Sequence, residues 1–311
     1  MSTEIPIPPP ASIDLRDWGL LLLLSIIWGG SYLFIGVALR ELSPLVVVMA
    51  RVIIAATALL PVHFLLQGSL PSNRASWIGM AGMSILNNII PFMLIATGQT
   101  MIASGLASVI NATTPLFGVI LIALAGDERL LARKVIGIAI GIAGVAVLQG
   151  GTLLGAGNQS LGILLCLGAA ASYGLGGLWA RKRLKGIAPL SLATGQLLVS
   201  SLIMTVLAFA FDQPATLLQA SGRTWAALLG LALLATSLAY IIFFRIVARS
   251  GPANVLLVTM MIPPSAIFMG YMVLRETLEW REIIGALIII VALMIIDGRV
   301  VKALRPGNQP A

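Results

Sequence analysis

Ten long apolar runs dominate the sequence, and they limit what the chain can fold into more than any other feature. Most are about 20 residues long, which is the length that a helix needs to cross the hydrocarbon core of a bilayer. They cover residues 17–38, 44–66, 76–97, 101–125 and 130–150, and then 161–180, 189–211, 224–246, 252–274 and 283–296. The sequence therefore predicts an all-α integral membrane protein with ten transmembrane helices.

The composition agrees with a membrane location and leaves no room for a soluble catalytic domain. Of the 311 residues, 59% are hydrophobic and 10% are charged, whereas soluble domains average about 45–50% apolar and about 25% charged residues. Ten spans leave only short tails and loops. The single cysteine, Cys166, excludes an intrachain disulfide.

The positions of the basic residues predict the orientation of the spans. If both termini lie on one side, that side carries all of the 19 Lys and Arg residues except Arg40, Arg223, Arg275 and Arg281, which lie opposite, and Arg51, which lies inside a span. By the positive-inside rule both termini are then cytoplasmic, in a multi-pass protein of the inner (plasma) membrane. The net charge of +8 is explained by this topology, so a nucleic-acid partner is not needed.

The two halves of the chain resemble each other at an offset of 148 residues. The recurring pairs are Trp77 and Trp225, Gly82 and Gly230, Pro115 and Pro263, Glu128 and Glu276, and Gly137 and Gly285. Because each half holds five helices, the second enters the membrane from the opposite side, as in the inverted repeats of secondary transporters, whose substrate site lies between the halves. We expect a disordered cytoplasmic tail (1–16), a first five-helix repeat (17–150), a linker (151–160), a second repeat (161–300) and a cytoplasmic tail (301–311).

Polar side chains inside the spans mark the candidate substrate site, because such groups are costly in lipid unless they face a cavity or a partner helix. The third and fourth spans each carry a polar stripe that ends at a proline. The candidate substrate-binding residues on these and other spans are Trp28, Ser84, Asn87, Asn88, Asn111, Thr114, Tyr173, Tyr240 and Thr259. The alternative, that these groups only form hydrogen bonds between helices, stays open.

Prolines inside the spans are candidate hinges. Each removes a helical hydrogen bond and frees a carbonyl group that needs another partner. The four candidates are Pro91, Pro115, Pro263 and Pro264. Static kinks with no moving role are the alternative.

Charged residues are nearly absent from the interior of the spans. Arg51 is the exception, about 10 Å deep at 1.5 Å per residue. It either binds a substrate carboxylate, or has a structural role in which it caps neighbouring carbonyls or extends outward to the interface. All eleven acidic residues fall in tails, loops or span ends, which argues against proton antiport on an embedded carboxylate and against a counter-ion for cationic drugs. His63 lies near a cytoplasmic helix end, where we expect an interface residue.

The sequence lacks the motifs of membrane enzymes. No Gly-Lys pair exists for a nucleotide-binding loop, and one His with one Cys cannot form a zinc site. Acidic clusters that would hold Mg²⁺ are also missing from the spans. We therefore expect no enzymatic activity, no cofactor and no metal.

Several short motifs resemble a known family: residues 28–31 (Trp-Gly-Gly-Ser), Ala50-Arg51, the run 107–115, and Glu128 with Leu130, with Pro263, Glu276 and Leu278 in the second copy. Residues 17–300 resemble the EamA-type branch of the drug/metabolite transporter (DMT) superfamily and are similar to the YddG-like exporters of aromatic and other amino acids. The resemblance implies ten helices around a central cavity lined by the third and fourth spans and their counterparts. Residues 111–115 lack the aromatic side chains of those exporters, which predicts a roomier, less selective pocket.

The leading hypothesis is a secondary transporter, independent of ATP, that exports amino acids or related small neutral or zwitterionic metabolites by alternating access. One alternative is efflux of drugs or toxic cations. Another is a structural protein that binds lipid or a partner through a glycine face of the fifth span, formed by Gly137, Gly141 and Gly144. The sequence also leaves a homodimer open, and the lipid bilayer is an expected partner in every case.

Overall fold

The computed structural model describes residues 14–126, 131–150, 158–250 and 257–298, so most of both predicted tails and residues 151–157 of the predicted linker lie outside it. All regular secondary structure in these ranges is helical. The long helices are α1 (Leu15–Ala38), α2 (Pro44–Gln67), α3 (Arg74–Gly98), α4 (Ser104–Leu124), α5 (Ala132–Gln149), α6 (Asn158–Arg183), α7 (Pro189–Phe211), α8 (222–250), α9 (Leu257–Leu274) and α10 (Trp280–Asp297).

Nine of these helices in the described ranges are long and apolar enough to cross a membrane. The remaining one, α10, is also 18 residues long but carries Arg281, Glu282 and Asp297 at its ends. The prediction of an all-α membrane protein with ten helices in two repeats is confirmed. The chain is a multi-pass membrane protein.

Local capping chemistry determines where the helices begin and end more closely than the hydropathy of the sequence does. Ser43 caps α2 by accepting a hydrogen bond from the amide of Val46 at 3.2 Å, as N-terminal serines commonly do. A capping box between Glu279 and Glu282 starts α10 at Trp280, three residues before the apolar run 283–296 begins. Helix α4 starts at Ser104 rather than at residue 101, because residues 101–103 belong to the preceding turn.

Three helices depart from regular α-helical geometry near their middle. Helix α3 is π-helical at Ile85–Ile89 and α8 at Gly230–Leu238, and these segments coincide when the halves are aligned at the offset of 148. Helix α4 is interrupted between Ser104–Asn111 and Thr114–Leu124. Pro115 lies two residues after that break, and Pro91 lies two residues after the π-helical segment of α3.

The most extensive helix contacts join one half of the chain to the other. Helix α1 packs on α9, α2 on α7, α3 and α4 on α6, and α5 on α10. Gly29 permits the close approach of α1 to α9, because a Cβ there would overlap the Ser265 hydroxyl and lie 3.0 Å from the amide nitrogen of Ala266. A polar group in the centre of the bundle is therefore surrounded by side chains from both repeats.

The glycine face of α5 is covered by α10 of the same chain. A Cβ on Gly137 would lie 3.0 Å from the carbonyl oxygen of Ala292, and one on Gly144 would lie 3.1 Å from that of Gly285. Close intramolecular packing therefore occupies this face, which argues against the alternative that it binds lipid or a partner.

Candidate functional site

The π-helical segment of α3 carries the two adjacent asparagines singled out in the sequence. Asn88 is fully buried, and its Oδ1 accepts a 2.7 Å hydrogen bond from the hydroxyl of Tyr240 on α8. Its Nδ2 donates to the hydroxyl of Ser200 on α7 at 3.0 Å. Asn87 donates to the Tyr240 hydroxyl over a longer 3.4 Å. One amide pair therefore joins the first repeat to two helices of the second.

Ser200 extends this network to a further predicted residue. Its hydroxyl lies 2.7 Å from that of Ser84 on α3 and donates to the carbonyl of Gln196 at 2.7 Å. The structure thus brings Ser84, Asn87, Asn88 and Tyr240 into one network. Ser200 was not among the predicted residues, and only its place in a Ser-Ser pair of the seventh span could have drawn attention to it.

Arg51 lies beside this network and is 7% exposed. Its Nε donates a 2.9 Å hydrogen bond to the hydroxyl of Thr236, in the π-helical segment of α8. Its Cζ lies 3.5 Å from the centroid of the Phe92 ring, which is a cation–π contact at close range. The side chain therefore points into the bundle and does not extend to the membrane surface.

Further aromatic side chains lie near this guanidinium. Tyr32, Tyr173 and Tyr240 all lie within electrostatic range of it, and they are three of the four tyrosines in the chain. They come from α1, α6 and α8. The site is therefore rich in aromatic groups although residues 111–115 contain none.

Asn111 ends the first segment of the interrupted helix α4. Its side chain lies near the hydroxyl of Tyr32, and its buried Oδ1 has no hydrogen-bond partner among the described residues. The hydroxyl of Thr114 donates to the carbonyl of Asn111 at 2.7 Å, so this threonine helps to close the turn. Asn111 thus brings an unused acceptor to the same region.

Other predicted residues lie away from the network. The half-buried Trp28 packs against Phe243, with ring centroids 5.7 Å apart, and Thr259 is half-buried near the start of α9. Pro263 and Pro264 line an apolar cavity of about 540 Å³ between α4, α9 and α10. Within the part of the chain that the structure describes, no three His, Cys, Asp or Glu side chains could hold a metal ion together.

Carboxylates lie at the helix ends, where they connect the two repeats. Asp17 accepts from Arg249 Nε at 2.9 Å and from the hydroxyl of Ser250. At the opposite ends of these helices, Glu41 accepts from the amide and the hydroxyl of Ser221, at 2.7 and 2.6 Å. These two hydrogen bonds lower the pKa of Glu41 below its ordinary value of 4.5.

Glu276 joins the repeats at a third place. Its Oε2 accepts from the amide of Ser104 at 2.9 Å and from its hydroxyl at 2.5 Å, and so caps α4 from the other repeat. Glu128, its repeat counterpart, lies outside the described residues. The carboxylates of the described chain therefore lie at the ends of helices, and the centre of the bundle holds amides, hydroxyls and one guanidinium.

Comparisons with known proteins give a consistent family and fold. The EamA-like transporter family matches residues 18–149 and 160–297. "Uncharacterized transporter YoaV" of Bacillus subtilis is 23% identical over 86% of this chain and 91% of its own. "Probable amino-acid metabolite efflux pump" of Escherichia coli is 27% identical over 90% of this chain and 94% of its own.

Two further similarities extend over nearly the whole chain. "Uncharacterized inner membrane transporter YedA" of Escherichia coli is 28% identical over 94% of both chains. A solved crystal structure shares the fold with a TM-score of 0.64 at 15% identity, over 91% of this chain and 98% of that one.

Proposed function

Since this chain belongs to the EamA-like transporter family, we propose that it exports amino acids or related small zwitterionic metabolites across the inner membrane. Transport of small molecules, and not enzymatic catalysis, is the activity of its family. The substrate class, the direction and the membrane are our proposal. The name of the E. coli relative, a probable amino-acid metabolite efflux pump, and that of the inner membrane transporter YedA support it.

The main support for the proposal is the group of polar side chains that lies between the two halves of the chain. Tyr240 and Asn88 form a hydrogen bond across the repeats, and Asn111 brings an unused acceptor to the same region. A single cation beside uncharged amides and hydroxyls suits a zwitterion, because the cation can pair with its carboxylate and the amide and hydroxyl oxygens can accept hydrogen bonds from its ammonium group. The same groups suit an isolated organic cation poorly, because the described interior offers it no carboxylate.

We further propose that the two repeats rock against each other to alternate access. Contacts between the halves exist at both ends of the bundle, between Glu41 and Ser221 at one end and between Asp17 and Arg249 at the other. Opening one end would break the exposed hydrogen bonds between Glu41 and Ser221, and opening the other would break those of Asp17 with Arg249 and Ser250. The break before Pro115 and the π-helical segment before Pro91 are the hinge positions that we favour.

In this proposal the residues nearest the substrate are Asn87, Asn111, Tyr173 and Tyr240. Asn88 and Ser84 support them from the buried network. The repeats correspond to residues 17–150 and 161–300, the linker to 151–160, and the tails 1–16 and 301–311 are cytoplasmic.

Counterflow into liposomes tests the proposal. Purified protein is reconstituted with an unlabelled L-amino acid inside, and uptake of the radiolabelled form is measured for aromatic and aliphatic amino acids against protein-free liposomes. We expect saturable uptake of at least one amino acid. Absence of uptake for all of them, together with transport of a cationic dye such as ethidium, would replace the proposal by drug efflux. Absence of both would favour a protein that does not transport.

An imposed pH gradient tests the coupling. No carboxylate lies in the centre of the described bundle, so we expect counterflow to be the same with and without the gradient. Dependence on the gradient would contradict a simple facilitator and direct attention to His63, which is fully buried in α2 with neither ring nitrogen hydrogen-bonded to a described residue.

A further inference from the structure

We propose that the guanidinium of Arg51 binds the carboxylate group of the transported solute and thereby restricts transport to solutes that carry one. This inference rests on the proposed function, because it assigns a residue to one end of a zwitterionic substrate.

The protein itself uses only part of the hydrogen-bonding capacity of Arg51. Nε donates to Thr236, and the face of the guanidinium lies on Phe92. The terminal Nη1 and Nη2 donate to no described residue, and neither is among the sealed polar atoms that lack a partner. Two adjacent N–H groups therefore remain open, and this fork is what binds both oxygens of a carboxylate.

A nearby negative charge is also missing among the described residues. No carboxylate of the described residues lies within 4.0 Å of the guanidinium. Its electrostatic neighbours are the hydroxyls of Tyr32, Tyr173 and Tyr240, which are neutral near pH 7. A buried cation without a counter-ion is costly, and a bound carboxylate would supply the missing charge.

The surroundings of Arg51 decide between the two roles that the sequence leaves open. The guanidinium donates to no backbone carbonyl of the described residues and is 7% exposed, so it neither caps a helix nor extends to the surface. Its contacts come from α3 and α8, which belong to different repeats. A ligand held there would touch both moving bodies, as a transported substrate must.

The test compares solutes that differ only in the carboxylate. Counterflow of L-leucine and L-phenylalanine is measured beside that of L-leucinamide and L-phenylalaninamide, with protein-free liposomes subtracted. For wild-type protein we expect a preference of about tenfold or more for the free acids, as a charge-assisted bidentate contact implies. Arg51→Gln should lose that preference by slowing the acids and leaving the amides unchanged.

Two variants control for charge and for folding. Arg51→Lys keeps a cation without the fork, so we expect an intermediate preference. Arg40→Gln makes the matched change at an exposed loop position and should behave as wild type. If Arg51→Gln does not fold, thermal unfolding of the wild type decides, because the free acids should raise its melting temperature and the amides should not.

Each outcome separates this inference from the proposed function. Equal transport of acids and amides by the wild type would overturn the role of Arg51 and leave amino-acid export standing. An unchanged preference in a folded Arg51→Gln variant would do the same. If chloride raised the melting temperature of the wild type as much as the amino acids do, Arg51 would belong to a general anion site. That result would also overturn its role in recognising the substrate carboxylate. No flux of any amino acid would overturn both.

Discussion

The Nε of Arg51 and the hydroxyl of Thr236 lie 2.9 Å apart in different halves of the chain. The geometry depends on the π-helical segment of α8, where the Thr236 hydroxyl donates its own proton to the carbonyl of Leu231, five residues earlier, at 2.8 Å. With its proton committed, the hydroxyl oxygen is left as an acceptor for Arg51. An irregular stretch of helix in one repeat therefore orients the buried cation of the other.

Replacing Thr236 by Val removes that acceptor with little change of shape. Because charge-assisted hydrogen bonds contribute more than neutral ones, we expect the KM for amino-acid counterflow to rise about tenfold. Thr236→Ser keeps the hydroxyl and should restore the wild-type KM. Thr205→Val is the matched control, since the Thr205 hydroxyl bonds only to the carbonyl of Ser201 in its own helix. A KM that rises equally for Thr236→Ser and Thr236→Val would show that Thr236 does not orient Arg51.

Asn88 and Asn111 should respond differently to replacement by Ala. Asn88 makes two buried hydrogen bonds to other helices, so Asn88→Ala should lower the free energy of unfolding by about 1–2 kcal/mol. Asn111 has an unpartnered Oδ1, so Asn111→Ala should leave unfolding almost unchanged and slow transport about fivefold. Thermal unfolding in detergent and counterflow on the same preparations measure both. The reverse ranking of stabilities would contradict this division of roles.

Acid should weaken the contact between Glu41 and Ser221. The folded pKa of Glu41 is lowered, so its contribution to stability is present above the unfolded pKa and is lost as the pH falls through the folded one. We expect the stability advantage of wild type over Glu41→Gln to shrink between about pH 5 and about pH 3.

Thermal melting across that pH range, with Ser221→Ala as a second variant, measures the effect. Ser221→Ala removes the hydroxyl donor, so the pKa of Glu41 should move back towards its ordinary value and the acid-dependent loss should be smaller. An advantage of wild type that stays constant with pH would exclude Glu41 as its source.

Gly29 should be intolerant of a side chain. A methyl group there would overlap the Ser265 hydroxyl and approach the backbone of α9, so Gly29→Ala should cost about 1–3 kcal/mol of stability as α1 and α9 move apart. Gly19 lies on the same helix, and a Cβ there would have no neighbouring atom within 4 Å, so Gly19→Ala should stabilise by up to about 1 kcal/mol. Similar melting temperatures for the two variants would exclude tight packing at Gly29.

Hydropathy was enough to predict the helices, because a bilayer requires an apolar run of nearly constant length. It could not predict the break in α4 or the π-helical segments, since neither changes the apolar character of the run. The start of α10 also escaped it, because the capping box at Glu279 and Glu282 places polar residues inside the first turn.

For the site, the sequence identified Ser84, Asn87, Asn88 and Tyr240 but not the residues that bind them. Ser200 was missed and Thr236 was not assigned to the site, because a serine or threonine in a membrane helix is ordinary and its importance depends on which neighbouring helix it faces. The depth of Arg51 followed from counting residues, whereas its contact with Phe92 depends on how α2 and α3 are rotated against each other. Such rotations are decided by side-chain packing in the folded bundle, which hydropathy does not describe.

The distance in sequence between Arg51 and Thr236, 185 residues, has a consequence for biosynthesis. At about 5–20 residues per second, the ribosome completes α8 roughly ten to forty seconds after α2. During that interval α2 must reside in the bilayer without the hydrogen bond to Thr236, and a charged side chain costs about 2.5–3.5 kcal/mol at a helix centre on insertion scales. Of the nine spans identified in the described residues, α2 has the highest mean hydropathy, so its other residues offset the arginine until the second half arrives.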